Sequence, residues 1–261
     1  MSIDNFKKDI ELAVNVLKNN TDYILNRELI DKLFENNSHS FENICLRLTV
    51  IDAFYSTNMS KRLYGIRDLA KAIYDIGNDI QIKEQVQKYK SSAEKNEIKA
   101  LFDGSYGINK MGNPSGKARS LISKYLYFVT NHDFPIEDSL VKENLNNILA
   151  YYGFSKKRKD NDLLLFLISF CRINEIAIGD LDNFLWLIGK INKGSLSLIV
   201  KKEDYQIIIK KLDIQKANST DISNRLRSND YINKISDIIS PNLRELLYLN
   251  QTIYTKYNPT K

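Results

Sequence analysis

The sequence predicts a mostly α-helical protein, and three observations carry that reading. Apolar residues recur at helical spacing along nearly the whole chain. Only 10 Gly and 4 Pro stand among 261 residues, too few for a many-turned β fold. A hydrophobic content of 43% with 27% charged residues is that of a soluble globular chain large enough to bury a sizeable core.

Each element follows from its pattern. Ile3, Phe6, Ile10, Ala13, Val14 and Leu17 share one face of a first helix. Thr21 and Asp22 are expected to cap a second, which carries Ile24, Leu25, Leu29 and Leu33 to a stop at Asn36 and Asn37. Ser40 opens a third that runs to about Tyr55. After Ser56-Thr57-Asn58-Met59-Ser60, a fourth is expected from Lys61 to Ile76, ending at Gly77. A polar fifth spans Asp79 to Leu101. Residues 102–116 hold the densest cluster of turn formers in the chain. Helices are then expected over Lys117–Thr130, Asp138–Tyr152, Asp160–Asn174 and Gly179–Lys190. Asn192-Lys193-Gly194 reads as a boundary, which gives a helical region over 1–192 and a C-terminal extension over 193–261. Within the extension, Ile207-Ile208-Ile209 fits strand or helix equally.

Composition excludes several classes. Cys45 and Cys171 lie far apart in apolar runs, as expected of reduced core residues in an intracellular protein. With only His39 and His132 beside them, no zinc finger or iron–sulfur cluster is expected, and no cofactor. The sequence shows neither a leader pattern nor an apolar run long enough for a bilayer, so the expectation is a cytoplasmic protein without a membrane partner. The formal charge of +6 and a pI near 9.0 favour a polyanionic partner.

The chemistry-bearing stretch runs from Gly112 to Val141. A Gly-containing turn leads into a helix with Lys117 and, about two turns further along the same face, Lys124. A short loop then ends at Asp138, at the start of another helix. The simpler reading makes Asp138 a helix cap and the lysines solvated surface groups. The chemical reading uses the same residue types to break an N-glycosidic bond. A carboxylate steadies the oxocarbenium-like sugar and orients water, and a lysine of lowered pKa can attack C1′. Gly112-Asn-Pro-Ser-Gly-Lys-Ala is not a P-loop, because Met111 stands at the first glycine position and Ala118 at the Ser/Thr position.

Two segments resemble the helix-hairpin-helix DNA glycosylases, specifically the 8-oxoguanine-glycosylase-like (OGG-fold) bacterial proteins. Leu48 to Gly65 is similar to the helix–loop–helix that fills the gap left by an extruded base. Its Ser56-Thr57-Asn58-Met59 matches a loop that reads Ser-Ser-Asn-Asn in 8-oxoguanine glycosylases. Arg119 to Tyr125 with Phe134 to Val141 is similar to the group's S-K-[YF]…[FY]-P-I-Y-D-S pattern, with Glu137 in the usual Tyr place. Leu181 to Lys190 looks like its closing helix, so the likeness covers about residues 40–190.

The resemblance implies an all-α fold of two helical subdomains with a cleft between them. It implies a monomer acting on double-stranded DNA that carries a damaged or modified base, in base-excision repair or in phage defence, with AP-lyase activity in some members. It places the catalytic aspartate on Asp138. The active-site lysine is Lys124 or Lys117, with Lys124 preferred for its place in the S-K pattern. Asn58 becomes the gap filler, with Ser56, Thr57, Lys61 and Arg62 along the strand and Gly116 in the hairpin that meets a phosphate. Lys156, Lys157 and Arg158 form a basic run suited to a phosphate contact. Phe54, Tyr55, Tyr125 and Trp186 are the candidates for the base pocket; Tyr127 and Tyr151 are further aromatics that could stack on the base, and His132, in the loop before Asp138, could contact a base or sugar. Aromatics at helical spacing more often serve a core, so only one or two are expected to stack. The competing readings are a non-catalytic helical DNA-binding protein and a helical protein-interaction module.

Overall fold

The computed structural model describes residues 2–35, 39–91, 96–154, 162–214 and 218–257. Among these residues the chain forms fourteen α-helices and no strand: α1 (Ile3–Lys18), α2 (Thr21–Glu35), α3 (Phe41–Tyr55), α4 (Gly65–Ile76), α5 (Asp79–Ser91), α6 (Glu97–Asp103), α7 (Arg119–Val129), α8 (Ser139–Tyr151), α9 (Leu163–Asn174), α10 (Ile178–Asn192), α11 (Lys202–Lys211), α12 (Ser219–Arg225), α13 (Asn229–Ile235) and α14 (Pro241–Tyr257). No helix among them is long and apolar enough to cross a membrane.

The chain divides into two compact units. One comprises residues 1–25, 139–161 and 171–261, and the other residues 26–138 and 162–170. This division differs from the expected boundary at residue 192. The last seventy or so residues are not an appendage, because α14 packs on α1, α8 and α10 within the first unit. Leu243, Leu246, Leu247 and Ile253 carry that contact by burying one face of α14. Ile207–Ile209 is helical, and Ile208 is its buried position.

Helix ends differ from expectation where a local hydrogen bond takes over. Asn20, not Thr21 or Asp22, caps α2. Its Oδ1 accepts from the Tyr23 amide at 2.8 Å, while its Nδ2 donates to the Leu198 and Ile199 carbonyls at 3.1 and 2.8 Å. The long polar fifth helix is two helices, because Asn96 is extended and caps α6 through the Ile98 amide at 2.7 Å. The expected stop at Asn36 and Asn37 lies outside the described residues. Helix α4 starts at Gly65, later than expected, because Leu63 exchanges backbone hydrogen bonds of 3.2 and 2.9 Å with Ile108 and Tyr64 is left-handed with φ 63°.

The second unit packs α3 on α4 and α7, with α5 and α6 against α7. A buried ion pair fastens it. Arg47 on α3 is fully buried and meets both carboxylate oxygens of Asp79, the first residue of α5, at 2.9 and 3.0 Å. Its guanidinium also lies 4.5 Å above the Phe34 ring.

In the first unit the turn after α10 depends on a glycine. Gly194 has φ +66°, and a Cβ there would lie 2.0 Å from the Ser219 carbonyl oxygen and 2.7 Å from the Ser223 amide nitrogen. Both obstacles are backbone, so neither yields by a rotamer change. Gly194→Ala is therefore expected to lower the unfolding free energy by about 2–4 kcal/mol, read as a lower midpoint in urea denaturation. A change below ~0.5 kcal/mol would show that the turn can relax.

Candidate functional site

The second unit brings Lys124 and Asp138 together. Lys124 lies in the middle of α7, and Asp138 is the last residue before α8. The Lys124 Nζ is 3.5 Å from Asp138 Oδ2, donates to the Ser120 hydroxyl at 2.8 Å, and sits 5.3 Å above the Tyr55 ring centroid. The two partners differ in access: the Lys124 side chain is 2% exposed and that of Asp138 is 19% exposed. An incoming group therefore meets the carboxylate and not the ammonium.

The approach to Asp138 is held on both sides. Phe134 is fully buried with its ring 6.0 Å from Tyr89 and 6.1 Å from Phe102. Glu137 is clamped to α7: Arg119 Nε lies 3.0 and 2.8 Å from its two carboxylate oxygens, Arg119 Nη2 lies 2.7 Å from Oε2, and the Glu137 amide donates to the Ser123 hydroxyl at 2.9 Å. Arg119 also reaches Asp162 at 3.6 Å, and Asp162 accepts from the Tyr89 hydroxyl at 3.0 Å. Burial raises the Arg119 desolvation cost, but the bond and charge of Glu137 outweigh it and hold the guanidinium firmly protonated. Burial, with the charge of Asp162 adding to it, pushes the Tyr89 phenol well above its ordinary range. Sequence reasoning noted Glu137 only as a departure from a Tyr position, and this clamp is what that departure does.

Lys117 is not at the head of α7, which begins two residues later. It is half-exposed, and its Nζ is 2.8 Å from Asp103. The Lys117 and Lys99 hydrogen bonds hold the Asp103 carboxyl at about 2. Lys117 therefore belongs to a surface ion pair, whereas Lys124 is the lysine beside Asp138.

The loop after α3 is built around a residue that sequence reasoning missed. Asp52 is buried on the last turn of α3. Its carboxylate accepts from the Thr57 hydroxyl and from the amides of Met59 and Ser60, both at 2.9 Å. Ser56 and Asn58 are left-handed, with φ 50° and 62°. Each such residue costs about 1–2 kcal/mol, which the Asp52 bonds offset. Burial works against the charged form of Asp52, but these hydrogen bonds prevail and lower its pKa. Asn58 and Ser56 are exposed, and Asn58 Nδ2 donates to the Ser56 carbonyl at 3.1 Å. The only advance signal was an acid one turn before a Ser-Thr-Asn loop.

A second loop pairs with the first. Gly107 has φ +76°, and a Cβ there would lie 2.7 Å from the Leu63 carbonyl oxygen and 2.8 Å from Gly65 Cα. Leu63 bridges Ile108, and Ile108 bridges Pro114. Arg62 Nη1 donates to the Gly116 carbonyl at 2.5 Å and Nη2 to that of Lys117 at 3.3 Å, so Arg62 joins the two loops. Gly116 and Lys61 are exposed. The paired loops also present apolar groups to solvent that sequence reasoning passed over: Leu63, Tyr64 and Met111.

The remaining candidates separate. Tyr125 is fully buried against Phe34 at 5.2 Å, and burial pushes its phenol up to about 12. It offers no face to a base, which corrects its assignment to the pocket. Tyr127 is likewise buried. Tyr55 is half-buried at Lys124, and Phe54 is exposed. Trp186 and Tyr151 belong to the first unit, where Trp186 packs on Tyr23 at 5.0 Å. His132 is held between Arg27, 2.9 Å from Nδ1, and Asp31, 2.8 Å from Nε2. Since arginine only donates, Nδ1 is the acceptor and Nε2 carries the proton. Lys156, Lys157 and Arg158 lie outside the described residues.

No family model matches the chain, and neither a curated protein nor a solved structure matches it.

Asp52→Ala is expected to lower stability at neutral pH by about 2–4 kcal/mol by leaving the Met59 and Ser60 amides without their acceptor. Because the folded-state pKa of Asp52 is lowered, its contribution is complete above the unfolded value near ~3.9 and is lost as pH falls through the folded value. The gap between wild type and Asp52→Asn in urea melts should therefore stay constant from pH 7 to about 5 and close under acid. A gap that widens on acidification would reject this role.

Proposed function

We propose that the protein is a DNA glycosylase-like enzyme that extrudes a damaged or modified base from duplex DNA and cleaves its N-glycosidic bond. The observation that carries the reading is the Lys124–Asp138 pair with its unequal access. A carboxylate that faces solvent but is anchored through Glu137 can stabilise a developing sugar cation and orient a water. A buried ammonium beside it, 3.5 Å away, directs that carboxylate. With a side chain 2% exposed and its Nζ on Ser120, Asp138 and Tyr55, Lys124 positions Asp138 and does not attack C1′. The reading is thus a hydrolytic enzyme without a lysine Schiff base.

Asn58 on the Asp52-braced loop is the residue we assign to the vacated stack, with Ser56 and Thr57 beside it and Lys61 on the strand. The exposed Tyr64 and Leu63 add apolar faces of the kind that part base steps. Tyr55 and Phe54 are the aromatics we retain for the extruded base. The positive net charge supports DNA as the partner. Repair and phage defence differ here only in the base offered.

One observation favours a second reading. The Lys124 ammonium is satisfied within the protein, as it would be in a non-catalytic DNA-binding protein that keeps the pair as an internal brace.

Base release from duplexes carrying oxidised guanine or phage-type modified bases tests both. Asp138→Asn should cut release about 10²–10³-fold while leaving salt-dependent DNA binding intact. Borohydride should trap no covalent complex. Release unchanged in Asp138→Asn removes the aspartate from the chemistry. Steeply salt-sensitive binding without release from any duplex selects the second reading.

A further inference from the structure

The first unit contains a cavity of about 190 Å³ between α8, α14, the end of α10 and the segment that follows α12. Glu143, Asn144 and Asn147 line it from α8, Asn192 from the end of α10, Arg227 from the turn after α12, and Tyr254 from α14. Its volume is below the roughly 300–1,000 Å³ of sites for drug-sized ligands, so an occupant must be small.

Two polar atoms in the lining are buried without a hydrogen-bond partner in the protein: Asn192 Oδ1 and Arg227 Nε. Both orientations are imposed. Asn144 Nδ2 donates to the Leu140 carbonyl at 2.7 Å, so Asn144 offers its oxygen to Asn192 Nδ2 at 2.5 Å. The Asn192 amide is then turned with its own oxygen left as an acceptor. Its backbone is pinned as well, since the Ser223 hydroxyl donates to the Asn192 carbonyl at 2.7 Å. Arg227 lies flat on Tyr254, with Cζ 3.6 Å from the ring centroid, and its Nη1 donates to Asn224 Oδ1 at 2.8 Å. No carboxylate among the described residues pairs with it. The guanidinium is therefore preorganised with its Nε–Nη2 edge unused, and that edge matches a carboxylate bidentately.

A donor edge for a carboxylate and one fixed acceptor on the same lining specify a ligand. The one carboxylate of the lining, Glu143, pairs with Lys193 at 3.2 Å, which leaves Arg227 as the lining's cation without a carboxylate partner. We propose that this cavity binds a small organic acid whose carboxylate sits on the Nε–Nη2 edge of Arg227 and whose adjacent hydroxyl or amino group donates to Asn192 Oδ1. Leaving either protein group buried and unpaired costs free energy, which a ligand of this pattern recovers at both points. Ile148 and Ile253 supply apolar lining for a short side chain. The site is independent of the chemistry assigned to Asp138.

Calorimetric titration of the full chain with L-lactate, L-alanine and propionate tests it, because propionate has the carboxylate and the size but no donor. Lactate or alanine should bind at least about tenfold more tightly than propionate. Preference between the two names the hydroxy- or amino-acid class. Arg227→Lys keeps the charge but removes the bidentate edge, and should weaken the bound acid about tenfold or more. Equal binding of propionate, no saturable binding of any of the three at millimolar concentration, or full affinity in a folded Arg227→Lys variant would overturn the proposal. The wild-type comparison decides it even if that variant does not fold.

Discussion

An ammonium group inside a helical core organises the candidate site. Taking such an ion out of water costs several kcal/mol unless neighbours compensate. Lys124 meets that demand with a serine hydroxyl one turn back on its own helix, an aromatic face from α3, and the Asp138 carboxylate. The last of these is the demanding one, because it requires the loop between α7 and α8 to end in a single place. Phe134 and the Arg119–Glu137 clamp answer that requirement. The result is a carboxylate whose position is set from the protein side while part of its surface faces outward.

The same logic of internal satisfaction runs through the loops. Asp52 gathers one hydroxyl and two amides, and so holds Ser56 and Asn58 in backbone conformations they would not otherwise adopt. Arg62 spends its guanidinium on two backbone carbonyls of the neighbouring loop. Rigid presentation follows: the exposed groups on these loops are displayed on a frame whose polar atoms are already occupied.

Helix number and type were legible wherever a face was long and periodic, as in α1, α3, α8 and α10. The errors fell where one hydrogen bond overrode the pattern. A polar stretch reads as one continuous helix until Asn96 turns its side chain back on Ile98, and Lys61 to Tyr64 reads as helix until Leu63 finds Ile108. A polar stretch ending in glycine looks like a domain edge in sequence, yet Asn192-Lys193-Gly194 is a turn within one unit whose glycine lies against α12. For the site, spacing on one helix could place Lys117 and Lys124 on a common face. It could not show that one would be drawn to Asp103 and the other buried, since that depends on partners distant in sequence. Arg119, Asp52 and Arg47 were invisible for the same reason: a charged residue in an apolar pattern gives no hint of the carboxylate or carbonyls it will meet.

The seating of α14 against α1 has a consequence for folding. One compact unit is assembled from three stretches of chain, and α1 takes part of its cover from α14, a helix distant in sequence. Until α14 docks, the apolar stripe of Phe6, Ile10, Ala13 and Leu17 lacks part of its cover. Contacts between segments this far apart in sequence form more slowly than local helical ones, so this unit is expected to complete its core later than its individual helices.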